Sequence, residues 1–237
     1  MNKNKALRLK RIAFLIAGSV LYFLLFSLVE ERDTTVTILH TKLDDLIPFC
    51  EYFIIPYVAW FFYVIATVVY FAFFNNKDEE YHSLLVSLAI GMGVFLAVSI
   101  FLPNGQDLRP DIRYPENIFQ KACTILWATD TPTNILPSLH VFNAVVCNIA
   151  WCRSEKFGNN NIFLSFVNIL TVMIVLSTMF LKQHCVIDVI AALTLNLICF
   201  GIFYKTRVGS KVSARLSAIE NRGSRDEDEA KNGIKKI

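Results

Sequence analysis

Nineteen consecutive residues at 84–102, LLVSLAIGMGVFLAVSIFL, carry no charged side chain. As a helix this run rises about 28 Å, close to the roughly 30 Å of hydrocarbon in a bilayer. Five further apolar stretches fall at 12–29, 50–74, 137–152, 162–181 and 184–204. The 137–152 stretch is the shortest and is polar at its start. Inside lipid every backbone polar group has to find an internal partner, so the expected architecture is an all-α integral membrane bundle of six transmembrane helices. Composition agrees: hydrophobic residues make up 54% of the chain, including 20 Phe, more than an ordinary soluble domain carries.

The net charge of +3 hides an uneven distribution. Basic residues crowd the two ends and the middle is nearly uncharged, which points to a membrane protein with no nucleic-acid partner. Lys3, Lys5, Arg8, Lys10 and Arg11 precede the first apolar run, and Lys205, Arg207, Lys211 and Arg215 follow the last. Positive flanks stay inside, so both termini are expected to be cytoplasmic. The first run is too long for a signal peptide and is followed by no small-residue cleavage site, so it reads as the first span. Residues 1–205 then form a six-span membrane domain, and 206–237 a basic cytoplasmic tail that is disordered past Gly223. The 30–49 and 103–136 segments and the Lys182–Gln183 turn fall outside.

Those outside segments hold the polar residues with chemical potential. NILPSLHVFN brings Pro137, Ser138 and His140 to the start of the fourth stretch, and HCVID brings His184 and Asp188 to the start of the sixth. Arg109, in NGQDLRPDIRYP, lies in the connection before the fourth. The i, i+4 spacing puts His184 and Asp188 on one helix face. A carboxylate below the interface needs a partner, and by accepting the Nδ1 proton it leaves Nε2 free as a nucleophile. A purely structural His–Asp pair satisfies the same spacing. Pro137 suits the first turn of a helix, Ser138 and nearby backbone N–H groups suit an anion at a positive helix end, and His140 suits proton donation. For PSLH alone, an ordinary capped helix start with an interfacial histidine is the better reading.

Taken together, Arg109-Pro110, PSLH at 137–140 and HxxxD at 184–188 resemble the three ordered signatures of the type-2 phosphatidic acid phosphatase superfamily, over roughly 103–200. The resemblance implies that His184 attacks phosphorus, that His140 protonates the departing alcohol and that Asp188 orients His184. It also implies that Arg109 and Ser138 hold phosphate oxygens and that no metal or other cofactor is needed. Two positions depart from the pattern: Leu102 stands where the first signature begins with lysine, and Thr178 where the third carries arginine. Lys182 and Arg113 are the candidate replacement cations, with an interfacial anchor as the other role for Lys182.

The partners expected are the bilayer and a membrane lipid with a phosphate headgroup, met at the outer face of the plasma membrane. The expected function is hydrolysis of a lipid phosphomonoester or diphosphate. DTPTN at 130–134, followed by LPSLHV and later KQHCVID, also resembles the inositol phosphorylceramide synthase branch, which implies transfer to an alcohol. A non-catalytic anion-binding membrane protein is the third alternative.

Other features set the surroundings. Leu39, Leu43, Leu46 and Ile47 share one helical face, as in a surface or interfacial helix. His40 and His82 show no partner at useful spacing, and GMG at 91–93 suits close helix packing. Val212, Leu216 and Ile219 recur at helical spacing in the basic tail. No cysteine pair has metal spacing, and a disulfide from Cys123 to Cys50 or Cys185 stays open.

Overall fold

The computed structural model describes residues 3–206 and 208–220. The stretch past Gly223, expected to be disordered, lies outside the described residues. The chain is helical almost throughout: α1 (Lys3–Glu30), α2 (Lys42–Leu46), α3 (Ile54–Val69), α4 (Asp78–Phe101), α5 (Ile118–Thr129), α6 (Leu139–Arg153), α7 (Asn161–Phe180) and α8 (Val186–Lys205). A further helix covers 208–220. Two residue pairs, β1 (Thr37–Ile38) and β2 (Asn104–Gly105), join in parallel.

Among the described residues, five segments are long and apolar enough to cross a membrane: Leu7–Glu30, Glu51–Phe74, Asp78–Phe101, Asn161–Phe180 and Val186–Lys205. They carry outward-facing Phe23, Phe62, Ile65, Ile169 and Leu197, a surface that water would penalise and lipid tails accept. The shortest apolar stretch behaves differently. It folds as α6, only 15 residues long and so about 22 Å. α6 packs against α3, α4, α7 and α8, and Val141, Phe142, Ala144, Val146, Cys147 and Ala150 are all buried on it. Its apolar residues face protein on nearly all sides, which is why a short helix reads as apolar as a span.

Close packing at α6 depends on a missing side chain. A Cβ on Gly91 of α4 would overlap the Phe142 ring, whereas one on Gly93 meets nothing within 4 Å. Gly91→Ala is therefore expected to destabilise the bundle by about 1–3 kcal/mol through overpacking. Gly93→Ala is expected to be neutral or stabilising, and thermal unfolding of the two variants in one detergent checks the contrast.

Polar anchors tie the helix ends. Trp151 Nε1 donates to Thr67 Oγ1 at 2.9 Å, so α6 is fixed to α3. At the end where α1 begins, the Arg11 guanidinium donates to Asp78 at 2.7 Å and to Glu220 at 3.0 Å. His82, buried there, meets Ser213 Oγ at 3.0 Å and Glu220 at 3.4 Å. The 208–220 helix thus folds back onto the bundle, with Val212 and Leu216 half-buried and Ile219 exposed.

Several local expectations need correction. His82 and His40 both have partners, since His40 Nε2 lies 2.7 Å from Asp45; the contacts were invisible because they join separate segments or a tight turn. The 39–47 stretch is no continuous amphipathic helix. β1 ends just before it, α2 lasts only five residues, and Leu43 and Leu46 are exposed while Asp44 is buried. The 103–136 segment contains α5, whose Asn117 caps the helix through Phe119 N and Gln120 N. All six cysteines are free thiols.

Candidate active site

Two loops are stitched together before either reaches the site. Asn104 Oδ1 accepts from Ile135 N at 2.9 Å and Leu136 N at 3.0 Å, and the Asn104 carbonyl accepts from Asn134 N at 2.6 Å. Gly105 lies so close to this strand that a Cβ there would sit 2.8 Å from the Pro132 carbonyl oxygen. From the other side Glu30, at the end of α1, accepts from Thr131, from Thr133 at 3.0 Å and from Asn134 at 2.7 Å. Asn134 itself takes a positive φ of 52°, a conformation asparagine tolerates better than most residues. These ties fix the entry of α6.

Pro137 does not occupy the first turn of α6. It precedes Ser138, which is the N-cap and accepts from Val141 N at 3.3 Å. Ser138 is fully buried, and its backbone N donates to the Asp188 carbonyl at 3.2 Å. That bond ties the start of α6 to the first turn of α8, and so brings the two histidine segments together.

His184 stands just before α8. Its Nδ1 lies 2.7 Å from Asp188 Oδ2, and Asp188 is fully buried. An ionised carboxylate only accepts, so with Asp188 in that form a neutral imidazole places its proton on Nδ1 and leaves the Nε2 lone pair free. Nε2 faces His140 Nδ1 at 3.4 Å. The His140 ring is held among aromatics, with ring centroids 4.4 Å from Trp60 and 4.6 Å from Tyr57. Both histidines open onto a cavity of about 420 Å³. Its lining combines apolar Phe23 and Phe26 of α1 and Phe61 of α3 with polar Asp130, Thr133 and Gln183. An amphiphile with a tail and a polar head matches that mixture.

Arg109 reaches this rim indirectly. Its guanidinium donates to the Trp127 carbonyl at 3.1 Å, the Asp130 carbonyl at 2.7 Å and Gln183 Oε1 at 2.5 Å. Burial lowers its pKa, and the charges of Asp130 and Tyr57 partly offset that. Gln183 Nε2 in turn donates to Asp130 Oδ2 at 2.9 Å, and Tyr57 donates to the same oxygen at 3.0 Å. The Arg109 Nε, buried, makes no hydrogen bond. The guanidinium thus stands one side chain, Gln183, behind the cavity wall.

Neither replacement cation lies there. Arg113 is exposed and pairs with Asp111 at 2.8 Å. The Lys182 ammonium donates to the carbonyls of Asp44 at 2.8 Å and Ile47 at 2.5 Å, and Lys182 does not line the cavity. Its pKa is lowered by burial, opposed by Asp44 and Asp45. At the positions where the resemblance calls for cations, Leu102 is exposed and Thr178 donates to the Val175 carbonyl at 2.8 Å.

Sequence reading brought together His140, His184, Asp188 and Arg109, but missed Gln183, Tyr57, Trp60, Glu30 and Asn104. Gln183 had one available signal, its place directly before His184; the others come from distant segments with no motif of their own. A family model described as the PAP2 superfamily matches residues 80–210. No curated protein and no solved structure matches the chain.

Proposed function

The chain belongs to the PAP2 superfamily, and from that premise we propose that it hydrolyses a lipid phosphomonoester or diphosphate through a phosphohistidine on His184. The observation that carries the reading is the His184–Asp188 contact of 2.7 Å with Nε2 turned toward His140 at the cavity. Phosphorus approaching from the cavity takes its place near Nε2, displacing the 3.4 Å histidine contact, because a near-attack geometry needs about 3–3.5 Å between reacting atoms. The Nε2 lone pair forms the N–P bond, the P–O bond to the lipid breaks, and the departing oxygen takes a proton from His140. Water then attacks the phosphohistidine, gives its proton to His140 and releases phosphate. In this reading Arg109 stabilises the phosphate by its charge from behind Gln183, and Ser138, buried as the N-cap, by fixing the start of α6 at the site; preorganised charges and dipoles of that kind carry much of phosphoryl transfer.

Transfer to an alcohol is the second reading, favoured by the aromatic wall of Phe23, Phe26 and Phe61, which gives a lipid alcohol a place beside the histidines. In either reading six helices cross the bilayer, with α6 as the central, shortest one. The proposal also places both termini in the cytoplasm, the cavity at the outer face of the plasma membrane, the catalytic domain in 1–205 and the tail in 206–237.

The test is phosphate release by the detergent-solubilised protein from phosphatidic acid, phosphatidylglycerol phosphate and a long-chain isoprenyl diphosphate. Release that vanadate inhibits is the expected result. Silence on all three, repeated with alcohol acceptors and no transferred headgroup, leaves anion binding without catalysis.

A further inference from the structure

The turn that presents His184 is fastened by a segment far away in the chain. Val186 N, in the first turn of α8, donates to Asp44 Oδ1 at 2.7 Å across 142 positions. The helix's own N-cap, Cys185, supplies no side-chain cap, so the Asp44 carboxylate takes that place and sets a negative charge at the positive helix end. Its other oxygen accepts from Thr41 N at 2.8 Å and Thr41 Oγ1 at 2.7 Å. Asp44 is only 2% exposed.

The reciprocal contact comes from Lys182. Its ammonium holds the Asp44 and Ile47 carbonyls, and its own carbonyl accepts from Gln106 Nε2 at 2.8 Å. Lys182 has a φ of 55°, a left-handed conformation that a lysine adopts only when its surroundings enforce it. His184 lies between the two contacts, with its backbone N on the Thr178 carbonyl at 3.1 Å. Neither Asp44 nor Lys182 lines the cavity.

We propose that Asp44 is a positioning residue for the nucleophile and that Lys182 is the latch holding Asp44 against the start of α8. This rests on the reading of His184 as the attacking group. Where α8 begins decides where Nε2 points, so releasing the cap moves the lone pair relative to phosphorus while the substrate-binding walls stay in place.

The experiment uses the full-length protein in detergent with phosphatidic acid and a long-chain isoprenyl diphosphate as probes, comparing wild type with Asp44→Ala, Asp44→Asn, Lys182→Met and His184→Ala. Asp44→Ala is expected to lower kcat by roughly 30- to 100-fold, the scale of a small misplacement of a reacting group, with KM changed less than about threefold. Asp44→Asn keeps an acceptor for Val186 N–H but sets an NH₂ against Thr41 N–H, and is expected to recover part of that loss. Lys182→Met is expected to lower kcat about tenfold, again with KM held. A raised KM with intact kcat in Lys182→Met places the ammonium on substrate and overturns the proposal, as does wild-type kcat in Asp44→Ala. If Asp44→Ala does not fold, the Lys182→Met split decides. Turnover surviving in His184→Ala, or absent in wild type on both probes, sinks the nucleophile reading and the positioning role with it. Loss confined to His184→Ala, with both other sites normal, overturns the positioning role alone.

Discussion

His184→Ala is expected to reduce turnover by on the order of 10⁴-fold or more, because removing the nucleophile of a concerted unit leaves only binding and charge stabilisation. The accompanying signature is loss of an acid-labile phosphoenzyme. Structural damage is an unconvincing explanation for such a loss: the imidazole is close to the cavity surface, and its backbone contacts to the Thr178 carbonyl do not depend on the side chain. His140→Ala separates the two roles. With no proton donor, an alkyl phosphate with a poor leaving group is expected to stall, while an ester with a good leaving group still forms the phosphoenzyme. If His184→Ala retains turnover within tenfold of wild type, the attack lies elsewhere and the His184–His140 contact of 3.4 Å is structural.

The legible part of this molecule was local. Apolar runs located α1, α3, α4, α7 and α8 because each presents a lipid-facing surface and needs about twenty apolar residues. The i, i+4 spacing of His184 and Asp188 forecast a contact that is there at 2.7 Å, although His184 stands in the turn before α8 and meets the first turn of the helix from outside it. What failed was inference from nearness in sequence. Lys182 lies two positions from His184, yet its left-handed backbone sends the ammonium to Asp44 and Ile47. Arg113 lies four positions from Arg109, yet an acidic neighbour satisfies it at the surface. Asp44, Asn104 and Glu30 had no periodicity to mark them. Their value comes from reaching segments about 30 to 140 positions away, which a single sequence does not display.

The same geometry explains how a proton-transfer site survives at the edge of hydrocarbon. Polar atoms there are costly unless paired, and the pairings form one connected set. Asp188 accepts a hydrogen bond from His184 Nδ1, the Asp188 carbonyl accepts one from Ser138 N, and Gln183 joins Arg109 to Asp130 and Tyr57. Within the set, Arg109 Nε and Asp188 Oδ1 are left without a hydrogen bond. Rigidity and chemistry therefore come from the same bonds: the contacts that make burial tolerable also aim Nε2.

Asp188→Asn tests whether that aim includes the proton. The substitution nearly preserves shape and volume, so the fully buried position is expected to remain packed, and thermal unfolding in detergent should shift by only a few degrees. The chemistry changes more. A carboxylate can only accept, which obliges Nδ1–H to donate to it; an amide can turn its NH₂ toward Nδ1, favouring the tautomer with the proton on Nε2 and no lone pair there. The expected result is a fall in kcat of roughly 10²- to 10⁴-fold, as for the orienting carboxylate of a catalytic triad, with KM nearly unchanged because Asp188 touches no substrate. Phosphoenzyme formation measured in a single turnover should slow by the same factor, since the defect precedes N–P bond formation. A variant that keeps the wild-type rate would reduce the 2.7 Å contact to mutual satisfaction of two buried polar groups, and the orientation of His184 would then rest on the Asp44 cap and the Thr178 carbonyl alone.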